Sequence, residues 1–227
     1  MKTDQLDNLH PWHVTPAYAR LIQAELAHEV EHRDRLGRVR HVAGVDIGFE
    51  DGGRTTRAAV VILRLSDLSP IEHIVVRRPT SFPYVPGLLS FRELPAALHA
   101  LERARVDPDV ILCDGQGYAH PRRFGLACHL GVLTDRPTVG VAKQRLIGEF
   151  RPPPQRRGAW TPLIDRGEVI GAALRSRPGT RPIFVSSGHR VGLETSIELV
   201  MACVTRYRLP ETTRQAHHLA SHPARAH

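Results

Sequence analysis

The chain has 227 residues, of which 41% are hydrophobic and 24% are charged, with a formal net charge of +8. This length allows a substantial core, and these proportions are ordinary for a globular protein. No apolar run reaches the roughly 18 residues of a membrane-spanning helix, and the first residues lack the apolar stretch of a secretory signal. The three cysteines have no zinc-site spacing, which fits reduced thiols. We therefore expect a cytoplasmic protein without a membrane partner. We also expect a monomer, although none of these observations bears on the oligomeric state.

The positive charge suggests an anionic partner, and nucleic acid is the first candidate. Lys and Arg total 31, yet only Lys2 and Lys143 are lysines. Because a GC-rich coding bias can replace lysine by arginine throughout a chain, the net charge alone is weak evidence for a nucleic-acid partner. A lysine retained inside the fold is correspondingly more informative.

The first half of the chain predicts a helix followed by three strands. Residues 15–36 carry apolar residues near helical spacing, behind a Thr-Pro start signal. Short apolar runs separated by turns predict strands at 41–49, 58–65 and 71–78. Because the connections are short, we expect these strands to form an antiparallel meander.

The second half alternates strands with helices. Ser90 and Glu93 have the spacing of a capping box, which predicts a helix from Ser90 to about Ala104. Further strands are predicted at 109–114, 137–143, 168–175 and 181–187, and further helices at 126–134 and within 188–204. A meander followed by alternating elements predicts an α/β fold, with a mixed sheet of antiparallel and parallel strands flanked by helices.

The chain is expected to form one catalytic domain over residues 1–209. Residues 210–227 contain few large apolar side chains, so we predict a disordered C-terminal tail. The histidines of this tail are too irregularly spaced to indicate a metal site; they are His217, His218, His222 and His227.

Two aspartates stand at or near the ends of apolar strands. Asp46 lies in the run GVDIG, and Asp114 ends VILCD directly before a glycine-rich loop. If the two strands are neighbours, both carboxylates reach one sheet edge, where α/β proteins bind ligands. Paired carboxylates repel unless a cation joins them, and Mg²⁺ there can assist phosphodiester hydrolysis. From the residues alone, this metal site and an ordinary turn or capping role are about equally supported.

Five further side chains are candidates, each with a structural alternative. Glu93 fits backbone capping as well as catalysis, and His189 could handle a proton or make a structural contact. Lys143 ends a strand, where its ammonium would suit a phosphate, with an ordinary surface lysine as the alternative. Glu194 fits stabilisation of a helix dipole. Tyr84 lies between two prolines, a restricted backbone that suits either stacking on bases or packing in the core.

Five blocks of sequence resemble the endonuclease V family. They are VAGVDIGF (42–49), PYVPGLLSFRE (83–93), DGQGYAHPRRFGLACHLG (114–131), VGVAK (139–143) and SSGHRVGLE (186–194). Together, and in this order, they are far more specific than any one block. The resemblance implies an RNase H-like fold and a Mg²⁺-dependent nuclease that accepts Mn²⁺ as a substitute.

The resemblance also implies roles for residues at the sheet edge. Asp46, Asp114 and Glu93 correspond to the metal-binding carboxylates of the family. His189 corresponds to a fourth position near the metal and the attacking water, and Lys143 to a lysine that contacts the scissile region.

Contacts with nucleic acid are implied for two loops. Tyr84 corresponds to a wedge that fills the gap left by a displaced base, with Val85 where isoleucine is common. Arg122 and Arg123 are candidate phosphate contacts, with a solvated loop pair as the alternative. The other residues expected at the nucleic acid are Pro83, Pro86, Gly87, Gly115, Gly117, His120 and Lys143.

The implied substrate is DNA containing deoxyinosine, the product of adenine deamination. The implied reaction hydrolyses the second phosphodiester bond 3′ to the lesion and leaves 3′-hydroxyl and 5′-phosphate ends. Inosine-containing RNA is a second implied partner. The alternatives are another RNase H-like nuclease, such as a junction resolvase or an RNA-strand hydrolase, and a non-catalytic inosine-binding protein. The intact set Asp46, Glu93 and Asp114 argues against a non-catalytic protein.

Overall fold

The computed structural model describes residues 9–221, which form an eight-stranded mixed sheet with helices on its faces. The strands are β1 (His41–Glu50), β2 (Thr55–Arg64), β3 (Pro70–Pro79), β4 (Val110–Cys113), β5 (Thr138–Ala142), β6 (Trp160–Asp165), β7 (Glu168–Leu174) and β8 (Ile183–Ser187). The helices are α1 (Pro16–Leu26), α2 (Leu89–Glu102), α3 (Leu126–Thr134), α4 (Leu193–Ala202) and α5 (Glu211–Ser221). None of these helices is long and apolar enough to cross a membrane.

The strands follow the order β3-β2-β1-β4-β5-β8-β7-β6 across the sheet. The first three form the predicted antiparallel meander, and β1, β4 and β5 are parallel neighbours, which confirms the predicted mixed sheet. Val45 pairs with Cys113, so Asp46, within β1, and Asp114, directly after β4, lie at the same level. We call the edge where β4 and β5 end the carboxyl edge. Strand β8 runs antiparallel to β5, so it ends at the opposite edge.

The core lies on both faces of the sheet because the central strands alternate their side chains between two helical layers. Ala43 and Val45 of β1 belong to the cluster that contains Leu94 of α2 and Leu130 of α3. Val42 points the other way and joins the cluster built with α4 and α5. Residues at even positions of β1, including Asp46, therefore face the C-terminal helix.

The predicted disordered tail is wrong for Glu211–Ser221, which form α5 against β1. The two backbones approach closely: a Cβ added to Gly44 would lie 2.3 Å from the Thr212 carbonyl, and one added to Gly48 would lie 2.3 Å from the Ala220 carbonyl. Because this contact requires small residues, the helix face that meets β1 carries Thr212, Ala216 and Ala220 instead of the large apolar side chains that usually mark a buried face. Residues 222–227 lie outside the described part of the chain.

Two other elements differ from the prediction. The helix expected over 15–36 ends at Leu26, with one 3₁₀ turn after it. The chain then bonds to the loop after β8, where Arg35 N–H donates to the Arg190 carbonyl at 3.0 Å. Strand β6 was not predicted because Pro162 interrupts its pattern, yet β6 is an edge strand, where proline is tolerated.

Candidate active site

Three side chains with metal-ligand atoms meet at the carboxyl edge. One ligand atom each from Asp46, Asp114 and His217 lies within 4.8 Å of the other two. His217 Nδ1 and Asp46 Oδ2 are 2.7 Å apart. The register of β1 and β4 places the two aspartates, and α5 brings the imidazole across β1. The two carboxylates suit a divalent cation such as Mg²⁺ or Mn²⁺, and the imidazole adds one nitrogen ligand.

Lys143 lies at the same edge, directly after β5. Its Nζ donates to Asp114 Oδ2 and lies 3.3 Å from His217 Nδ1. The residue therefore sits beside the proposed metal ligands. Its ammonium also compensates the carboxylate charge in the protein alone.

The carboxyl groups at this edge are buried and close together, which makes their ionised forms unfavourable. Burial raises the pKa of Asp46 to about 6, and the charge of Asp114 adds to the rise. Burial raises the pKa of Glu93 to about 8, with further contributions from Asp46 and Asp114. A bound divalent cation would relieve this repulsion, so the charge and chemistry of the side chains fit a metal.

Glu93 is available to the site because it does not cap α2, so the predicted capping box is wrong. Helix α2 starts at Leu89, and its N-cap residue, Leu88, makes no side-chain capping bond. Ser90 instead shares a hydrogen bond of 2.9 Å with His129 Nδ1. The tertiary partner on α3 thus outcompetes the local cap. Glu93 lines a cavity together with Asp114.

His189 does not join the carboxylates, contrary to the expectation from its sequence block. It follows β8 at the edge opposite Lys143, and β5 between the two edges spans about 13 Å. Its N–H donates to Thr138 Oγ1 at 2.9 Å, and its Nδ1 accepts from the Glu31 N–H at 3.2 Å. Glu194, in the first turn of α4, follows the same edge.

His217 lies beside the aspartates, where His189 was expected. The sequence did not point to His217 because residues 210–227 were predicted to be disordered. A signal was present. Gly44 and Gly48 flank Asp46 on the same face of β1, and Thr212, Ala216 and Ala220 recur at helical spacing. Small residues on a strand and a helix together indicate close packing around the aspartate between them.

A cavity of about 310 Å³ adjoins the carboxylates. Residues from both signature loops line it, including Tyr84, Pro86, Gly87, Gly115 and His120. The Tyr84 side chain is exposed to 67%, which excludes core packing in this structure and leaves its ring available for stacking.

Several of the predicted nucleic-acid residues are engaged within the protein, Gly117 and Arg123 among them. A Cβ added to Gly117 would lie 2.2 Å from the Ser187 carbonyl, so Gly117 packs against β8. Arg123 pairs with Asp165 and Glu168, each at 2.8 Å. Through these contacts, both residues have a structural role in the free protein.

A mixed sheet that gathers carboxylates, an imidazole and an ammonium at the ends of its central parallel strands has the architecture of a metal-dependent phosphodiester hydrolase. The model of the endonuclease V family matches residues 24–218, which include α5 through His218. The chain belongs to the endonuclease V family, and it is a metal-dependent endonuclease.

Relatives of known sequence and structure agree with this assignment. Endonuclease V of Roseiflexus sp. (strain RS-1) is 58% identical over 212 residues, which cover 93% of this chain and 95% of the relative. The crystal structure of endonuclease V from Streptomyces avermitilis has a TM-score of 0.88 at 43% identity, covering 92% of each chain. Endonuclease V of Ciona intestinalis, solved with a 23mer DNA containing an inosine followed by a ribo-adenosine, has a TM-score of 0.80 at 28% identity, covering 91% of this chain and 97% of that one.

Proposed function

We propose that this protein recognises deoxyinosine in DNA and, with Mg²⁺, hydrolyses the second phosphodiester bond 3′ to the lesion. The products carry a 3′-hydroxyl and a 5′-phosphate. The observation that carries the proposal is the ligand set of Asp46, Asp114 and His217 beside a cavity. The inosine-containing DNA held by the Ciona relative supports the choice of lesion.

Asp46, Asp114 and His217 would hold the metal, with Glu93 beside them. The chemistry that Mg²⁺ supplies when bound is activation of water and neutralisation of phosphate charge. Lys143 would place its ammonium against the phosphate as a compact charge. Glu93, which lines the cavity together with Asp114, would add a third carboxyl to the site.

Recognition of the lesion would use the cavity and the exposed tyrosine. Hypoxanthine is guanine without the exocyclic amine, so a close-fitting cavity lined by the backbone of Gly115 and Gly87 can accept it and exclude guanine by crowding. Extruding a base costs a few kcal/mol, and less for a weakly paired inosine. Tyr84 would stack in the gap that the extruded base leaves.

The test is cleavage of a duplex with one deoxyinosine by the purified protein and Mg²⁺, with the cut position mapped. We expect one nick beyond the nucleotide 3′ to the lesion, lost in Asp46→Ala and His217→Ala. Glu194→Gln, a carboxylate change at the opposite edge, should cut like the parent protein. No nick by folded protein, or full cutting by Asp46→Ala, would overturn the proposal.

A second candidate is an endoribonuclease directed to inosine in RNA. The observation in its favour is the ribo-adenosine after the inosine in the DNA bound by the Ciona relative. A matched RNA strand in the same assay decides between them: faster cleavage of RNA than of DNA would favour the ribonuclease.

A further inference from the structure

The carbonyl of Gly87, which ends the loop PYVPG, is held by three donors from two other segments. Gln23 Nε2 of α1 donates at 3.1 Å, and Arg122 Nη2 donates at 2.6 Å. His120 Nε2 lies 3.1 Å from the same oxygen. Gly87 has a φ of +77°, a left-handed conformation that favours glycine. The loop is therefore anchored at one specialised point.

The donors also fix one another, which makes the assembly a closed network. Arg122 Nε donates to Gln23 Oε1 at 2.6 Å, and the Arg122 backbone N–H donates to His120 Nδ1 at 3.3 Å. Because Nδ1 accepts, the hydrogen of a neutral His120 ring is on Nε2, where it donates to Gly87. Burial lowers the pKa of His120 to about 4, which keeps the ring neutral at ordinary pH.

This anchor lies three residues from the exposed ring of Tyr84. Pro83 and Pro86 restrict the backbone between them, and the Leu88 N–H closes the turn on the Val85 carbonyl at 2.9 Å. Because this segment is stiff, a shift of the Gly87 carbonyl would also shift Tyr84. The orientation of Tyr84 relative to the cavity therefore depends on the Gly87 carbonyl.

We propose that Arg122 is a positioning residue that acts through Gly87 on Tyr84, and that it does not bind a phosphate. The inference rests on the proposed recognition of inosine. Arg122 contacts every other member of this network. Its guanidinium donates to the Gly87 carbonyl and to Gln23 Oε1, and its backbone N–H donates to His120 Nδ1.

A double-mutant cycle on cleavage of the inosine duplex tests this role. In the parent background, Arg122→Gln should lower kcat/KM about tenfold or more, the usual effect of losing charged hydrogen bonds. In a Tyr84→Ala background the same change should matter less than about twofold, because the residue on which it acts is gone. Arg122→Lys should restore part of the rate. Arg136→Gln, which removes a similar clamp on the Pro108 carbonyl at the opposite edge, should act independently of Tyr84.

A measurement without substrate separates this inference from the proposed activity. In hydrogen exchange of the free protein, Arg122→Gln should speed exchange of the Leu88 amide and leave the strand amides of β1 protected. Equal effects of Arg122→Gln with and without Tyr84, or unchanged exchange at Leu88, would overturn the positioning role. Absence of cleavage by the parent protein would instead overturn only the proposed function.

A separate observation concerns a groove of about 1140 Å³ that starts at the rim of the cavity. Arg145 and Leu146 line both the cavity and the groove, so the two are continuous. Arg151 and Arg166 line the groove but not the cavity. The Leu146 side chain, which lines both spaces, is exposed.

More basic than acidic side chains line the groove. Within residues 9–221, the Arg145 and Arg151 guanidinium groups have no ion pair with a carboxylate. The groove carboxylate Asp165 is already paired with Arg123 at 2.8 Å, and Glu149 is the other acidic residue of the lining. An anionic chain that passes from the cavity into the groove can therefore contact both arginines.

We infer that this groove holds the sugar–phosphate backbone of the damaged strand next to the extruded nucleotide, again resting on the proposed function. The test is the salt dependence of the Kd for a single-stranded inosine oligonucleotide in Ca²⁺. Arg145→Gln with Arg151→Gln should reduce the slope by about 0.7 per lost phosphate contact.

Arg38→Gln with Arg40→Gln is the matched control, because it removes the same charge just before β1, at the opposite edge. The control should leave the slope near that of the parent protein. Equal slopes for the two double variants would show a general charge effect and overturn the groove assignment. Failure of the parent protein to prefer an inosine strand would count against the proposed function instead.

Discussion

Replacing Glu93 by Gln should stabilise the metal-free protein. The carboxyl has a pKa of about 8 in the folded chain against 4.5 for an ordinary glutamate, chiefly because it is buried. Within residues 9–221 it makes no hydrogen bond that would offset this burial. At about 1.36 kcal/mol for each pKa unit, the penalty reaches about 5 kcal/mol, an upper limit because solvent at the cavity screens it.

The sign follows from the raised pKa. As pH rises from 4.5 to 8, the unfolded chain releases a proton that folded Glu93 keeps, so the free energy of unfolding falls over this range. Glu93→Gln removes the titration. The free energy of unfolding of the variant should therefore exceed that of the parent protein by about 2–5 kcal/mol near pH 8, and by less than about 1 kcal/mol near pH 5.

Urea unfolding in EDTA, at several pH values between these limits, measures the difference directly. Glu194→Gln is the matched control, because it makes the same chemical change in an exposed helix turn, and it should stay within about 0.5 kcal/mol throughout. The electrostatic account of the site would be refuted if Glu93→Gln were no more stable than the parent protein near pH 8. It would also be refuted if the variant had the same stability advantage near pH 5 as near pH 8.

Three further outcomes are expected. His217→Ala should lose both cleavage and the rise in Tm that Mn²⁺ gives the parent; an unchanged Mn²⁺ effect would remove the imidazole from the ligand set. Lys143→Arg should fold normally but cut slowly, because a planar guanidinium does not replace a compact ammonium beside Asp114, and parent rates would contradict this. Gly44→Ala should displace α5 and cost at least about 2 kcal/mol in urea unfolding, because the added Cβ meets the Thr212 carbonyl at 2.3 Å. Gly37→Ala, where no atom lies within 4 Å, is the control and should be nearly neutral.

The central strands could be predicted because each is a short apolar run with its own turn signals. Those runs carry their periodicity locally, so β1, β4 and β5 and the acids Asp46 and Asp114 were found from the residues themselves. Lys143 stood out because the chain has only one other lysine. What these residues share is a position that depends on one strand and its immediate neighbour.

Glu93, Ser90 and Arg122 show where local signals mislead. The spacing of Ser90 and Glu93 satisfies a capping rule, but His129 on another helix takes the serine hydroxyl. Arg122 has the sequence context of a phosphate contact, but Gly87 and Gln23 take its guanidinium. In each case a partner distant in sequence competes for the same polar group.

By itself, then, the sequence determined the mixed sheet, the aspartate pair and the family blocks, because strand patterns and loop motifs are written in consecutive residues. Only the tertiary structure decided which histidine joins the aspartates. His189 and His217 are both histidines beyond the last predicted strand, and the antiparallel course of β8 carries the first away from the carboxyl edge. The contact of α5 with Gly44 and Gly48 carries the second to Asp46. That contact depends on the absence of side chains, so it leaves no apolar pattern to detect.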